Sequence, residues 1–178
     1  MSLKIVFIGA GNLATQLSTS LKQQGFNILQ VYSRTEKSAK ELARKIDADF
    51  TGSIQNISKD ADVYVVALKD SVYDDVLSQI DFGDRLVVHC SGSMPMSALK
   101  NYAENFGVIY PLQTFSKNRE VKFTEIPVFV EANSKENERK LIEIGEGISD
   151  TVSVVNSEKR LLLHIAAVFA CNFVNHFY

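Results

Sequence analysis

Lys4-Ile5-Val6-Phe7-Ile8-Gly9-Ala10-Gly11-Asn12-Leu13-Ala14 decides the fold of this chain. The run from Leu3 to Ile8 is β-branched and aromatic, which predicts a buried strand. Leu13, Ala14, Leu17 and Leu21 then fall at helical spacing, and Gly25 supplies the stop. Between strand and helix stands Gly9-x-Gly11-x-x-Ala14. Gly9 permits a tight strand-to-helix turn. Gly11 lets the backbone approach a pyrophosphate with no Cβ in the way. Ala14 is small enough for the helix to pack closely on the strand. The helix N-terminus then offers N–H groups and a positive dipole end to phosphates. The bare spacing is a weak signal, and a plain βα turn can use Gly for steric reasons alone. The strand before it and the helix after it make it a strong one. Gly9, Ala10, Gly11, Asn12, Leu13 and Ala14 are therefore the first candidate dinucleotide contacts.

The same alternation continues outward. Phe26 to Tyr32 reads as a strand and Glu36 to Ile46 as a helix. Ala48 to Thr51 is a short strand. Asp62 to Leu68 is a near-continuous apolar run, as a strand buried on both faces requires. Val72 to Ile80 predicts a short helix, Arg85 to Cys90 a central strand, Met96 to Asn105 a helix and Gly107 to Tyr110 a strand. After Pro111 come strand-like Pro127 to Ala132, helical Ser134 to Gly145, strand-like Thr151 to Val155 and a final helix from Glu158 to Tyr178. Parallel strands need such helical crossovers. The expectation is an α/β fold: an open, doubly wound, mostly parallel sheet with helices on both faces.

The end of the second strand sets cofactor preference. An NAD site usually places an acid there for the ribose hydroxyls. Here stand Tyr32-Ser33-Arg34-Thr35. Arg34 can pair bidentately with a 2′-phosphate, and Ser33 and Thr35 can add hydrogen bonds, which favours NADP. Arg34 as a solvated loop residue is the plainer alternative, and Glu36 would revive NAD if the register shifted. Open α/β sheets bind ligands at the carboxyl ends of their strands. Ala67, Leu68, Lys69 and Val72 follow the fourth strand and would lie near the cofactor's middle, although Lys69 can equally be a surface cation. Cys90, Ser91 and Gly92 follow the fifth and would lie near the nicotinamide.

Composition narrows the classes. At 178 residues the chain can bury roughly 70% of its unfolded surface without disulfides or metal. Lys plus Arg is 19 and Asp plus Glu is 21, so no basic excess invites nucleic acid. Cys90 and Cys171 form no CxxC, and no metal site is signalled. Met1 to Ile8 is too short for a secretory signal, and no apolar stretch of about 18 residues lacks polar groups. The expectation is a cytoplasmic protein with a small-molecule substrate and no membrane or nucleic-acid partner.

Residues 1–156 account for a nucleotide-binding domain, and 157–178 for the first helix of a second one. The final helix stays apolar through Phe173, Val174 and Phe177, which predicts that a helical domain follows Tyr178. Within that helix His164, Cys171 and Asn175 share a face at about 100° per residue. His164 is a candidate general acid, or a hydrogen-bonded core histidine. Ser91 and Asn172 join it as candidate catalytic residues. Gln113, Thr114 and Asn175, with His164, are candidate substrate contacts, although Gln113 and Thr114 can equally be a turn shaped by Pro111. Cys90 reads as a small packer rather than a nucleophile, since no base accompanies it. His89 reads as a packing residue too.

These motifs carry a resemblance. The glycine turn, Ser33-Arg34-Thr35, Ala67-Leu68-Lys69-Asp70 and His89-Cys90-Ser91-Gly92-Ser93 resemble the Rossmann domains of small NADP oxidoreductases. Pyrroline-5-carboxylate reductase, deazaflavin-dependent NADP oxidoreductases and β-hydroxyacid dehydrogenases are among these. Tyr110-Pro111-Leu112-Gln113-Thr114-Phe115-Ser116 and the His164 helix are similar to a bacterial group assigned as NADP oxidoreductases. In that group a Rossmann-like domain precedes a helical domain of unassigned function. The resemblance implies an NADP-dependent hydride transfer to or from a carbonyl or imine carbon. It also implies a homodimer built through the helical domain, with this chain alone binding cofactor but lacking competent catalysis. The Lys and Asn of the β-hydroxyacid dehydrogenase linking helix have no match, because His164 is followed one turn later by Val168. That departure keeps open a second reading, an NADP-binding sensor or scaffold without turnover. A methyltransferase is disfavoured by Arg34, where an acid usually binds the ribose.

Overall fold

The computed structural model describes residues 3–117, 119 and 121–176, with side chains described as far as Ala170. Eight strands form one sheet: β1 Lys4–Ile8, β2 Asn27–Tyr32, β3 Asp49–Thr51, β4 Val63–Val66, β5 Leu86–His89, β6 Asn105–Pro111, β7 Val128–Ala132 and β8 Val152–Val154. The helices are α1 Asn12–Gln23, α2 Glu36–Ile46, α3 Tyr73–Leu77, α4 Lys135–Glu146 and α5 Ser157–His176. The spatial order is β3-β2-β1-β4-β5-β6-β7-β8. The first six strands are parallel, β7 runs antiparallel to β6, and β8 is parallel to β7. The chain is thus the doubly wound Rossmann-like α/β fold that its alternation predicts.

The central strands β1, β4 and β5 are almost wholly apolar because both sheet faces are covered there. Alternate residues of β1 serve the two faces. Ile5 and Phe7 pack with α1, α2 and α4 through Leu17, Leu42 and Leu141. Val6 and Ile8 pack on the other side with Tyr73, Leu77 and Leu99. β1 has β2 on one side and β4 on the other, so the strand order reverses there. The crevice outside the carboxyl ends of β1 and β4 is the place where such sheets take ligands.

One expected element is different. Met96 to Asn105 is not a helix: only Met96–Leu99 winds, as a single 3₁₀ turn. Asn105 already belongs to β6, and its side chain is committed to the sheet edge. It donates to the Asp84 carbonyl at 2.9 Å and accepts from Asn137 Nδ2 at 2.9 Å. Those long-range bonds outweigh a weak local helix preference. α5 opens on Asn156, whose Oδ1 accepts from the Lys159 N–H at 2.9 Å. Among the described residues, no helix is long and apolar enough to cross a membrane.

Candidate functional site

The glycine turn is stitched between two strand ends. The Gly9 N–H donates to the Tyr32 carbonyl at 2.8 Å, and Ala67 N–H donates to Ile8 at 2.9 Å. Gly9 has φ +120°, and a Cβ there would lie 2.4 Å from the Ala67 carbonyl oxygen. Gly11 is different: a Cβ there would meet no atom within 4 Å. Its missing side chain therefore leaves space beside the chain rather than serving internal packing. Behind it, α1 begins with no side-chain cap and no acid in its first turn. The positive end of the helix is left for an outside anion. Ala14 is fully buried against the core.

This turn forms one wall of a cleft of about 760 Å³, within the usual range for small-molecule sites. Gly9, Ala10 and Gly11 meet Ser33, Arg34 and Thr35 on one side and Ala67, Leu68, Lys69 and Val72 on the other. Arg34 and Lys69 are exposed, so both cations are available to phosphate oxygens. Glu36 does not line this cleft. Its side chain lies against Gly52, where a Cβ would be 3.0 Å from Glu36 Cβ. A smaller cavity of about 220 Å³ adjoins, lined by Gly11, Asn12, Leu13, Ala67 to Asp70, Cys90 and Ser91. The cradle at Gly11, the uncapped helix and the two cations fit a dinucleotide phosphate.

Reasoning from the sequence missed part of this wall. Ser38, Gly52, Ser53, Ile54, Gln55, Asp75 and Gln79 also line the larger cleft. The segment Gly52 to Gln55 follows β3, so the strand-end rule could have found it.

Beyond β5 the loop is closed by its own polar groups. His89 is fully buried. Its Nδ1 accepts from the Ser91 N–H at 3.1 Å, and its Nε2–H donates to the Pro95 carbonyl at 3.3 Å. Burial, with the Arg160 charge, pushes its pKa down to about 4, so the ring is neutral. Cys90 is buried, and burial pushes its thiol up to about 12, which suits packing rather than attack. Ser91 Oγ donates to Asp70 Oδ2 at 3.3 Å and accepts from the Met94 N–H at 3.1 Å.

The structure brings His164 to this loop. Its Nδ1 lies 2.8 Å from the Tyr110 hydroxyl. Tyr110 was read in the sequence as part of the Tyr110–Ser116 motif and not as a site residue, because its partner is 54 positions away. Arg160, one turn before His164, is also buried. It pairs with Glu131 and donates to the Met94 carbonyl and to Ser157 Oγ, leaving its Nε without a partner. Gln113 and Thr114 are exposed and line neither cavity; the Gln113 Oε1 accepts from the Thr114 N–H at 2.9 Å. The side chains of Cys171, Asn172 and Asn175 lie outside the described residues. Among the described residues, no cluster of His, Cys, Asp and Glu could hold a metal ion.

Two family models match. Residues 4–92 match "NADP oxidoreductase coenzyme F420-dependent", and residues 126–178 match "Domain of unknown function (DUF2520)". A solved structure from Bacteroides fragilis, provisionally called an NADP oxidoreductase, is 49% identical with a TM-score of 0.95. The match covers 99% of this chain and 70% of that one. A pyrroline-5-carboxylate reductase of Vibrio alginolyticus is 30% identical over 101 residues, covering 54% of this chain and 37% of that protein. An imine reductase from Myxococcus stipitatus in complex with NADP+ shares the fold, with a TM-score of 0.77 at 18% identity. That match covers 97% of this chain and 62% of the other.

Proposed function

The chain belongs to the family described as NADP oxidoreductase coenzyme F420-dependent, and on that premise we propose that it serves NADP-dependent reduction or oxidation of a small carbonyl or imine metabolite. The bound nicotinamide would supply or accept the hydride. The observation that carries the proposal is the unfilled space at Gly11, set against an uncapped helix N-terminus in a cleft that Arg34 and Lys69 also reach. Backbone N–H groups of Asn12 and Leu13 would hold the pyrophosphate. Arg34, with Ser33 and Thr35, would hold the 2′-phosphate. His164 would hold and deliver the proton that balances the hydride. The coenzyme in the family's name stays with the family, because its model ends at Gly92, before the β6 and α5 side of the site.

The chain spans 37% of the curated relative and 70% of the Bacteroides protein. Activity and homodimer formation therefore belong, in this proposal, to a full-length protein with a complete substrate side. The test begins with NADPH and NADH binding, read by fluorescence. Arg34→Ala should weaken NADPH by about 10- to 100-fold, since hydrogen bonds to charged groups contribute roughly 1.5–3 kcal/mol, and leave NADH nearly unchanged. Equal losses would remove the 2′-phosphate assignment. A screen of ketoacids and cyclic imines for NADPH oxidation then follows. Tight NADPH binding with no turnover in a full-length protein would favour a sensor instead.

A further inference from the structure

We propose that Tyr110 and Gly92 are positioning residues that hold the His164 ring for proton transfer, an inference that rests on the hydride-transfer reading above. The Tyr110 hydroxyl and His164 Nδ1 are 2.8 Å apart, and the two rings meet edge to face with centroids 5.9 Å apart. Both rings sit on Gly92. A Cβ there would lie 2.7 Å from Cγ and Nδ1 of His164 and 2.7 Å from Cζ of Tyr110. Gly92 is not among the glycines with positive φ, so backbone conformation does not require glycine. The close approach of the two rings does. Ser91, its neighbour, lines the smaller cavity beside the glycine turn.

The helix carrying His164 is fastened to the same loop at successive points. Ser157 Oγ accepts from the Met96 N–H at 2.9 Å, Arg160 donates to the Met94 carbonyl, and His164 lies against Gly92. Ser157, Arg160 and His164 stand at i, i+3 and i+7, one face of a helix. They meet residues 96, 94 and 92 in turn. The pair of buried Arg160 with half-buried Glu131 fixes this docking from the β7 side.

The chemistry follows from which ring nitrogen is engaged. In the imidazolium form both nitrogens carry hydrogen, so Nδ1–H donates to the Tyr110 oxygen and Nε2–H is the one left to give. In the step, the Nε2–H bond breaks and its electron pair stays on nitrogen. An O–H or N–H bond forms on the substrate atom as hydride from the nicotinamide reaches the adjacent carbon. The ring ends neutral and keeps Nδ1–H on Tyr110. Tyr110 keeps its own proton, since burial raises its hydroxyl above the ordinary value. It therefore orients the ring and is not itself the donor.

The test reads the cofactor-free protein. Long-range proton–nitrogen correlation of ¹⁵N-labelled chain at alkaline pH reports each imidazole tautomer, with His164→Gln assigning the signal. His164 is expected as the Nδ1–H form, opposite to His89, whose Nδ1 accepts. Tyr110→Phe should abolish the Nδ1–H signal and give the Nε2–H form that free imidazole prefers. Gly92→Ala should do the same with both ring partners still present. An unchanged His89 signal shows that the sheet edge is intact, and if Gly92→Ala does not fold, Tyr110→Phe decides. A wild-type His164 in the Nε2–H form, or an Nδ1–H signal that survives Tyr110→Phe, overturns the proposal. NADPH binding by the wild type is measured separately; its failure would remove the hydride reading and leave the tautomer result standing.

Discussion

Two junctions between a strand and a long helix are built in opposite ways. At Ile8 to Asn12 the chain turns through Gly9-Ala10-Gly11, and α1 starts with no side-chain cap and no acid. At Ala132 to Lys135 it turns through Asn133-Ser134, and α4 is sealed. Ser134 Oγ accepts from the Asn137 N–H at 3.2 Å, and Glu136 and Glu138 stand in the first turn. Asn137 Nδ2 also donates to Asn133 and Asn105, closing the corner with protein groups. The sheet explains the contrast. β1 points its carboxyl end at the crevice, whereas β7 is antiparallel to β6 and delivers α4 at the opposite edge. The α4 N-terminus, away from the crevice, completes its own hydrogen bonds, whereas the α1 N-terminus, facing the crevice, has no side-chain cap.

Four measurements break or sharpen this comparison. The largest effect is expected at Gly9, where Gly9→Ala combines a positive φ with a Cβ overlapping the Ala67 carbonyl. It should lower stability by about 2–6 kcal/mol, read by denaturant unfolding. A loss below about 1 kcal/mol would mean that the turn can relax. Next is acid sensitivity at the same sheet edge. His89 is held near pKa 4 against an ordinary 6.5, so the unfolded chain binds its proton first. Stability from this residue is present above about pH 6.5 and is lost as pH falls towards 4, a total of roughly 3 kcal/mol. The pH dependence of Tm over that window should flatten in His89→Gln; an identical slope would assign the acid loss elsewhere.

The third effect separates ligand space from packing space. Gly11→Ala puts a Cβ where no protein atom lies within 4 Å. Stability should stay within about 0.5 kcal/mol. NADPH affinity should fall about tenfold or more, a change of roughly 1.4 kcal/mol. Unchanged affinity would move the pyrophosphate away from this turn. The smallest effect is at the sealed junction. Ser134→Ala should cost about 1 kcal/mol of stability and leave NADPH binding alone. A change in NADPH affinity there would contradict the division of labour between the two edges.

The glycine-turn side of the cleft was legible because its signals are local. Gly9, Gly11 and Ala14 lie close together after a strand and before a helix, and Ser33, Arg34 and Thr35 follow the next strand, so strand–helix context together with spacing points to one edge, which Gly9, Gly11 and Ser33–Thr35 do share. The other side was legible only in part. His164 stood out as a polar residue in an apolar helix, but its contacts with Tyr110 and Gly92 did not, Gly92 having been read only as a residue near the nicotinamide. Arg160 carries no local signal, and only the fold brings Glu131 and the Met94 carbonyl against it. The segment 96–105 misled for a related reason: its residues suit a helix, yet only Met96–Leu99 winds, and Asn105 at its end is held in β6 by distant bonds.

The doubly wound fold and the place of the Gly9–Gly11 turn could be read from the residues alone, because strand and helix periodicity and glycine spacing are properties of adjacent residues. Only the tertiary structure decided which helix ends stay open, which cation is buried and which two rings share Gly92. Those depend on strand direction and on contacts between residues dozens of positions apart, such as Tyr110 with His164. No local pattern encodes such pairs, since the free energy that forms them comes from packing the whole sheet and its helices together.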